Sequence, residues 1–202
     1  VPLILSGILQ LLFNAADIIV VGHFAGRESL AAVGSTTALI NLMINIFIGL
    51  SVGVNVIVAR YYGAKREKDV QDTIHTAMAL SIVSGLFLII VGQLLSRPML
   101  ELMGTPDDVI DKSTIYMRII FIGMPANMIY NFGSAILRAV GDTKRPLYFL
   151  TAAGVINVVL NLFFVIMFRM DVAGVALATA ISQAISAFLV ILCLMESEGS
   201  LK

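Results

Sequence analysis

Residues 147–168 read LYFLTAAGVINVVLNLFFVIMF and contain no charged side chain. About 20 apolar residues in a helix cross the hydrocarbon core of a bilayer, which is about 30 Å thick. A helix is favoured because backbone N–H and C=O groups find no water in lipid and must pair within the segment. This stretch therefore predicts a transmembrane helix.

Apolar segments of the same kind recur along the whole chain. Six of them cover about residues 1–24, 30–59, 73–95, 115–137, 147–168 and 172–195. None alternates polar and apolar residues with a period of two, so the pattern does not predict the strands of a β-barrel. The sequence predicts an all-α integral membrane protein in which six transmembrane helices form one bundle.

The composition excludes several classes of protein. The 202 residues are 59% hydrophobic and 13% charged, whereas soluble domains have about 45–50% apolar and about 25% charged residues. Thirteen basic residues balance thirteen acidic ones, so no basic surface is expected for nucleic acid. The single cysteine, Cys193, excludes a disulfide framework. The chain has no P-loop or HExxH motif, and we expect neither enzymatic activity nor a cofactor.

Positive charges between the segments predict the orientation, because Lys and Arg are enriched in cytoplasmic loops. One side of the bundle carries Arg60, Lys65, Arg66, Lys68, Arg138, Lys144, Arg145 and Lys202. The other side carries Arg27, Arg97, Lys112, Arg118 and Arg169. We expect the first side, with both chain ends, to face the cytoplasm.

One carboxylate, Asp17, lies deep in an apolar segment. A charge inside the bilayer is costly, so such a residue indicates a functional site. Gln10 and Asn14 precede Asp17 at helical spacing and share its face, which predicts that this face lines a cavity. The alternative is that Asp17 lies near the outer end of its helix and only caps the bundle.

Buried amides and hydroxyls form a second group of candidates. Asn157 and Asn161 are spaced i, i+4, as are Thr179 and Gln183, and Asn131 lies in the segment 115–137. Buried amides need partners. They either bond across helices as structural links or supply oxygens to a cation or substrate. For the amides of the second segment, Asn41, Asn45 and Asn55, a polar path and helix pairing remain equally open.

Small residues and one proline predict how the helices pack. Gly49 and Gly53 form a GxxxG pattern that favours close helix contact. Small residues also crowd the last segment: Ala173, Gly174, Ala176, Ala178 and Ala180. Pro125 is expected to kink the fourth segment because proline lacks the N–H of a helical hydrogen bond.

Four stretches resemble one family of transporters. They are FNAADIIVVGHFAGRESLAAVG (13–34), GLSVGVNVIVARYYGAKR (49–66), MGTPDDVIDKSTIYMRIIFIGMPANMIYN (103–131) and AILRAVGDTKRPLY (135–148). They resemble the N-terminal lobe of bacterial multidrug and toxic compound extrusion (MATE) transporters, and the turn LRAxGDTKRP is the most specific of these signals. The resemblance implies a missing second lobe, and the start at Val1 without an initiator Met leads us to expect a fragment.

The resemblance also implies a function. Members are antiporters of the bacterial plasma membrane that exchange protons or sodium ions for toxic, often cationic, organic compounds. The family's first-span coupling carboxylate falls on Asp17, and its polar partners fall on Asn131, Asn157 and Thr179. Where many members carry a second carboxylate, this chain has Asn161, which fits a single proton carrier better. Sodium stays open, because Asp17, Asn157, Asn161 and Thr179 offer the oxygen ligands that hard cations prefer.

Two other functions stay open at this point. A flippase of lipid-linked saccharides from the same superfamily would need a strongly cationic cavity for a pyrophosphate. Apart from Arg118 near one end, the six segments have no interior cation, which counts against it. A six-span structural or self-associating subunit without transport activity is the second alternative.

Overall fold

The computed structural model describes the backbone of residues 1–200 and the side chains of residues 1–197. Lys202, one of the charges counted for the orientation, lies outside the described residues. Seven α-helices follow one another in the described chain: α1 (Pro2–Val20), α2 (Arg27–Gly63), α3 (Glu67–Leu102), α4 (Asp107–Ile122), α5 (Met124–Ala139), α6 (Lys144–Leu162) and α7 (Val172–Ser200). A π-helical turn extends α1 over Val21–Ala25, and another extends α6 over Phe163–Met167. The predicted all-α class is confirmed.

The helices have the lengths that a membrane bundle requires. Within the described residues, five helices are long and apolar enough to cross a bilayer, and α4 with α5 makes a sixth if the pair is one span. These two helices meet at Gly123 with a bend of 48°. Pro125 lies in the first turn of α5, where its missing N–H removes a bond to the preceding turn. The predicted kink is confirmed, and the break begins two residues before the proline.

Glycines allow the helices to approach closely, but the two glycines of the GxxxG pattern are not among them. A methyl group on Gly92 of α3 would lie 2.2 Å from Cγ of Phe121, and one on Gly154 of α6 would lie 1.9 Å from Cε2 of Phe13. By contrast, a methyl group on Gly49 or Gly53 would meet no described atom within 4 Å. The predicted packing of this GxxxG pair is therefore wrong within the described chain, since both residues lie on an outward face of α2.

Helix α5 lies at the centre of the bundle, and α1 lies at its edge. Phe132, Met124 and Met128 of α5 are fully buried. On α1, Ile4 is 68% exposed and Leu11 is 70% exposed. An apolar outer surface of this kind suits contact with lipid, because hydrocarbon does not penalise exposed apolar side chains.

An ionic network joins three elements at one end of the bundle. The ammonium of Lys112 in α4 lies 2.8 Å from Oδ2 of Asp171, in the connection between α6 and α7. It also lies 3.3 Å from Oε2 of Glu28 at the start of α2. Ser29 donates a hydrogen bond to Asp171. This network lies at the opposite end of α2 from the basic connection around Lys65.

Candidate functional site

A cavity of about 360 Å³ opens between α1, α2, α5, α6 and α7. Seven of the eight residues singled out from the sequence line it: Gln10, Asn14, Asp17, Asn131, Asn157, Thr179 and Gln183. They come from α1, near the start of the chain, and from the three helices α5, α6 and α7 at its end. The eighth, Asn161, is fully buried behind the cavity wall and contacts Asp17.

Helix α1 contributes one polar face to the cavity. Gln10, Asn14 and Asp17 all line it, because residues at this spacing lie on one side of a helix. Gln10 and Asn14 are exposed and Asp17 is half-buried. The prediction that this face lines a cavity is confirmed.

A continuous hydrogen-bond network leads from Asp17 into α6 and α7. Asn161 donates from its Nδ2 to Oδ1 of Asp17 and also to Oδ1 of Asn157, at 2.9 Å in the second case. Asn157 in turn donates to Oγ1 of Thr179 and to Oγ of Ser182, both at 3.2 Å. Each of the two amide groups thus uses both of its N–H donors.

One oxygen of this network lacks a partner. Oδ1 of Asn161 is buried and accepts no hydrogen bond from the described residues. An unsatisfied buried acceptor is unfavourable by about 1–3 kcal/mol. This oxygen can therefore accept a hydrogen bond from a donor beside Asp17 or act as a ligand of a cation there.

The cavity contains further polar residues that were not singled out as site residues. Asn127 and Tyr130 of α5 line it, and Asn131 donates to Oδ1 of Asn127 at 2.8 Å. Asn127 precedes Asn131 by one helical turn, so the same spacing rule would have found it. Asn41 and Asn45 of α2 also line the cavity.

Asn55 has a different role from the other two amides of α2. Its Nδ2 donates to the backbone oxygen of Ala135 at 2.7 Å, and it does not belong to the cavity wall. The structure thus divides the amides of α2. Two face the cavity, and Asn55 links α2 to α5.

The described residues of the cavity wall include one charged side chain. Among the lining residues that the structure describes, Asp17 is the only carboxylate, and there is no Lys or Arg. Phe13, Ile44, Ile48 and Leu150 supply an apolar wall. A single carboxylate beside an apolar wall suits a proton, a metal cation or an organic cation with apolar groups.

Comparisons with known proteins place these features in a family. The sequence profile of the MatE family matches residues 2–163. The chain is 35% identical over 196 residues to the "Probable multidrug resistance protein YoeA" of Bacillus subtilis (strain 168), covering 95% of this chain and 42% of that protein. It is 33% identical over 185 residues to the "Probable multidrug resistance protein YpnP" of the same organism, covering 92% and 42%.

Solved structures lead to the same family. One titled "Outward-facing conformation of a multidrug resistance MATE family transporter of the MOP superfamily" superposes with a TM-score of 0.90 at 27% identity. The match covers 96% of this chain and 43% of that one. The chain thus spans about two fifths of the length of these relatives, as one of two lobes does.

Proposed function

Because this chain belongs to the MatE family of multidrug and toxic compound extrusion transporters, we propose that it works as one lobe of a cation-coupled antiporter. The antiporter exports toxic organic compounds, often cationic ones, from a bacterial cell across the plasma membrane. A second lobe completes the pore. Transport proceeds without chemical conversion of the substrate.

The hydrogen bond between Asn161 and Asp17 carries this proposal. It holds Asp17, the only carboxylate among the described residues of the cavity wall, at the entrance to a buried polar network. A partly desolvated carboxylate has a reduced preference for its charged form. Asp17 therefore suits a role in which its negative charge is neutralised in turn by different cations.

Competition at Asp17 accounts for exchange without ATP. When the site opens to the outside, a proton or sodium ion neutralises Asp17. When it opens to the cytoplasm, an organic cation replaces that ion and rests against the apolar wall. Each ligand stabilises a different packing of the two lobes, so the gradient of the small ion drives export.

The coupling ion is a proton or a sodium ion. For a proton, the unpartnered Oδ1 of Asn161 accepts a hydrogen bond from protonated Asp17. For sodium, Asp17, Asn157, Asn161 and Thr179 supply oxygens of the type that hard cations bind. Because residue 161 is an amide and not a carboxylate, Asp17 is the one ionisable group of this pair. Two carboxylates would bind sodium more strongly than one does, so the single carboxylate favours the proton.

The composition of the cavity wall argues against a lipid-linked saccharide flippase. A pyrophosphate would require cationic side chains, and the described lining residues contain none. Asp17 would repel such a headgroup. The transport assay described below also tests the alternative that the chain is a structural subunit without transport activity.

A transport assay with an isosteric variant tests the proposal. The protein that carries this chain, at its natural length, is placed in everted membrane vesicles with an imposed pH or sodium gradient. Uptake of a fluorescent organic cation is followed for wild type, Asp17→Asn and Asp108→Asn. Asp108 is a matched control, because it is exposed at the start of α4, away from the cavity.

We expect Asp17→Asn to lose gradient-driven uptake and Asp108→Asn to keep it. The gradient that drives uptake in the wild type identifies the coupling ion. Uptake by Asp17→Asn at the wild-type rate would contradict the role of Asp17. Absence of uptake by the wild-type protein under both gradients would contradict the antiporter itself.

A further inference from the structure

A second, smaller pocket adjoins the cavity on the side of the turn between α5 and α6. It has a volume of about 160 Å³ and lies between α1, the end of α5 and the start of α6. Gln10, Tyr130 and Asn131 line both spaces. Only the smaller pocket also contains Arg138 and Thr143. The two spaces therefore adjoin each other at these three residues.

The guanidinium of Arg138 has a positive charge that no described carboxylate pairs with. It is half-buried, and its Nε donates to the backbone oxygen of Ser134 at 3.1 Å. Since a guanidinium has five N–H donors, four of them stay available.

Asp142, the acidic residue of the same turn, is already engaged elsewhere. Its Oδ2 lies 3.2 Å from Nε of Arg145. Its Oδ1 accepts hydrogen bonds from the backbone N–H groups of Lys144 and Arg145. The charge of Arg138 is therefore left for another anion.

The size and chemistry of the pocket fit an anionic group. Arginine binds carboxylate and phosphate oxygens through pairs of N–H donors. Thr143 and Gln10 also line the pocket, and their side chains carry further donors, a hydroxyl and an amide. Drug-sized ligands occupy pockets of about 300–1,000 Å³, so this pocket suits one substituent of a larger molecule.

We propose that Arg138 and its pocket bind the carboxylate or phosphate group of a substrate whose cationic part lies beside Asp17. The inference rests on the proposed function and specifies zwitterions as members of its substrate class. Asp17 and Gln10 are seven positions apart on α1, about 10 Å at 1.5 Å per residue. Since Gln10 lines both spaces, a substrate with a long spacer between its cationic and anionic groups suits the two sites.

A matched pair of ligands tests the pocket. One is ω-trimethylammonio-dodecanoate, a long zwitterion, and the other is its methyl ester, a monocation of the same shape. Calorimetry measures the affinity of both for the natural-length protein in phosphatidylcholine nanodiscs. The variants are Arg138→Gln, Arg138→Lys and, as a control, Lys68→Gln, whose side chain is exposed near the start of α3 and lines neither space.

The informative quantity is the ratio of zwitterion affinity to ester affinity. A hydrogen bond to a charged group contributes about 1.5–3 kcal/mol, so Arg138→Gln is expected to lower this ratio about tenfold or more. Arg138→Lys is expected to retain part of the preference for the zwitterion, and Lys68→Gln is expected to leave the ratio unchanged. Binding of the ester shows in each case that the variant is folded. An unchanged ratio in Arg138→Gln overturns the proposal.

Two further outcomes separate the possible causes of failure. If phosphatidylglycerol in the nanodiscs abolishes the wild-type preference for the zwitterion, a lipid phosphate occupies the pocket and the assignment to substrate is wrong. If the wild-type protein binds neither compound, the proposed function fails together with the pocket. If the ester binds through Asp17 while Arg138 has no effect, the pocket alone is refuted.

Discussion

Asn161 donates a hydrogen bond to the carboxylate of Asp17, although 144 positions separate the two residues in the chain. The bond joins α6 to α1, the helix at the edge of the bundle. Asn161 is neutral and fully buried. A change in the charge of Asp17 is therefore not offset by a second ionisable group at this contact.

The first prediction concerns Asn161. Asn161→Leu removes the donor to Asp17 and to Asn157. Because a hydrogen bond to a charged group contributes about 1.5–3 kcal/mol, we expect the gradient-driven transport rate to fall about tenfold or more. The rate is measured in vesicles and normalised to the amount of folded protein that elutes as a single species.

Asn55→Leu is the matched control for this experiment. It also removes a partly buried amide, but one that links α2 to Ala135 outside the cavity. We expect a loss of about 1 kcal/mol of stability with little change in transport. Equal transport rates in the two variants would show that Asn161 has only a structural role.

The second prediction concerns the packing of α1 on α6. Gly154→Ala introduces a methyl group 1.9 Å from the Phe13 ring, so the ring or the helices must move. Overpacking of this kind is unfavourable by about 1–3 kcal/mol. We expect a lower unfolding temperature, measured by the loss of the monodisperse species on heating. Gly53→Ala, which meets no described atom within 4 Å, is expected not to lower that temperature, because alanine favours a helix more than glycine does.

The polar face of α1 shows what helical spacing can predict. The spacing of Gln10, Asn14 and Asp17 indicated a common face, and all three line the cavity. The same rule treated Asn157 and Asn161 as equivalent, yet Asn157 lines the cavity and Asn161 is buried behind it. Spacing within one helix does not say which neighbour covers each residue. That depends on how α1 packs against α6.

The glycines show the limit of local patterns. Gly49 and Gly53 form a recognisable motif but lie outward. Gly92 and Gly154 belong to no GxxxG pattern, but they receive the rings of Phe121 and Phe13. Each contact depends on a bulky residue distant in the chain. A motif search within one helix does not identify that partner.

The third prediction concerns orientation. Helix α3 has 36 residues, about 54 Å at 1.5 Å per residue, so its ends lie on opposite sides of the membrane. We expect the start of α3 to face the cytoplasm. In intact cells, a membrane-impermeant maleimide should label Leu102→Cys, where the native side chain is 88% exposed. Lys68→Cys should react only after permeabilisation.

The native cysteine gives a low background in this labelling experiment. Cys193 is 5% exposed, and Cys193→Ala provides the control. The opposite labelling pattern, with Lys68→Cys reactive in intact cells, would reverse the orientation.

Competition at Asp17 predicts that the protein releases small ions when an organic cation binds. The natural-length protein, purified and weakly buffered, is titrated with the methyl ester used above. A pH indicator counts released protons and radioactive sodium counts released sodium. If the two kinds of ligand compete for Asp17, the wild-type protein releases about one small ion per organic cation bound, and Asp17→Asn releases none. Release by Asp17→Asn equal to that of the wild type would contradict the account.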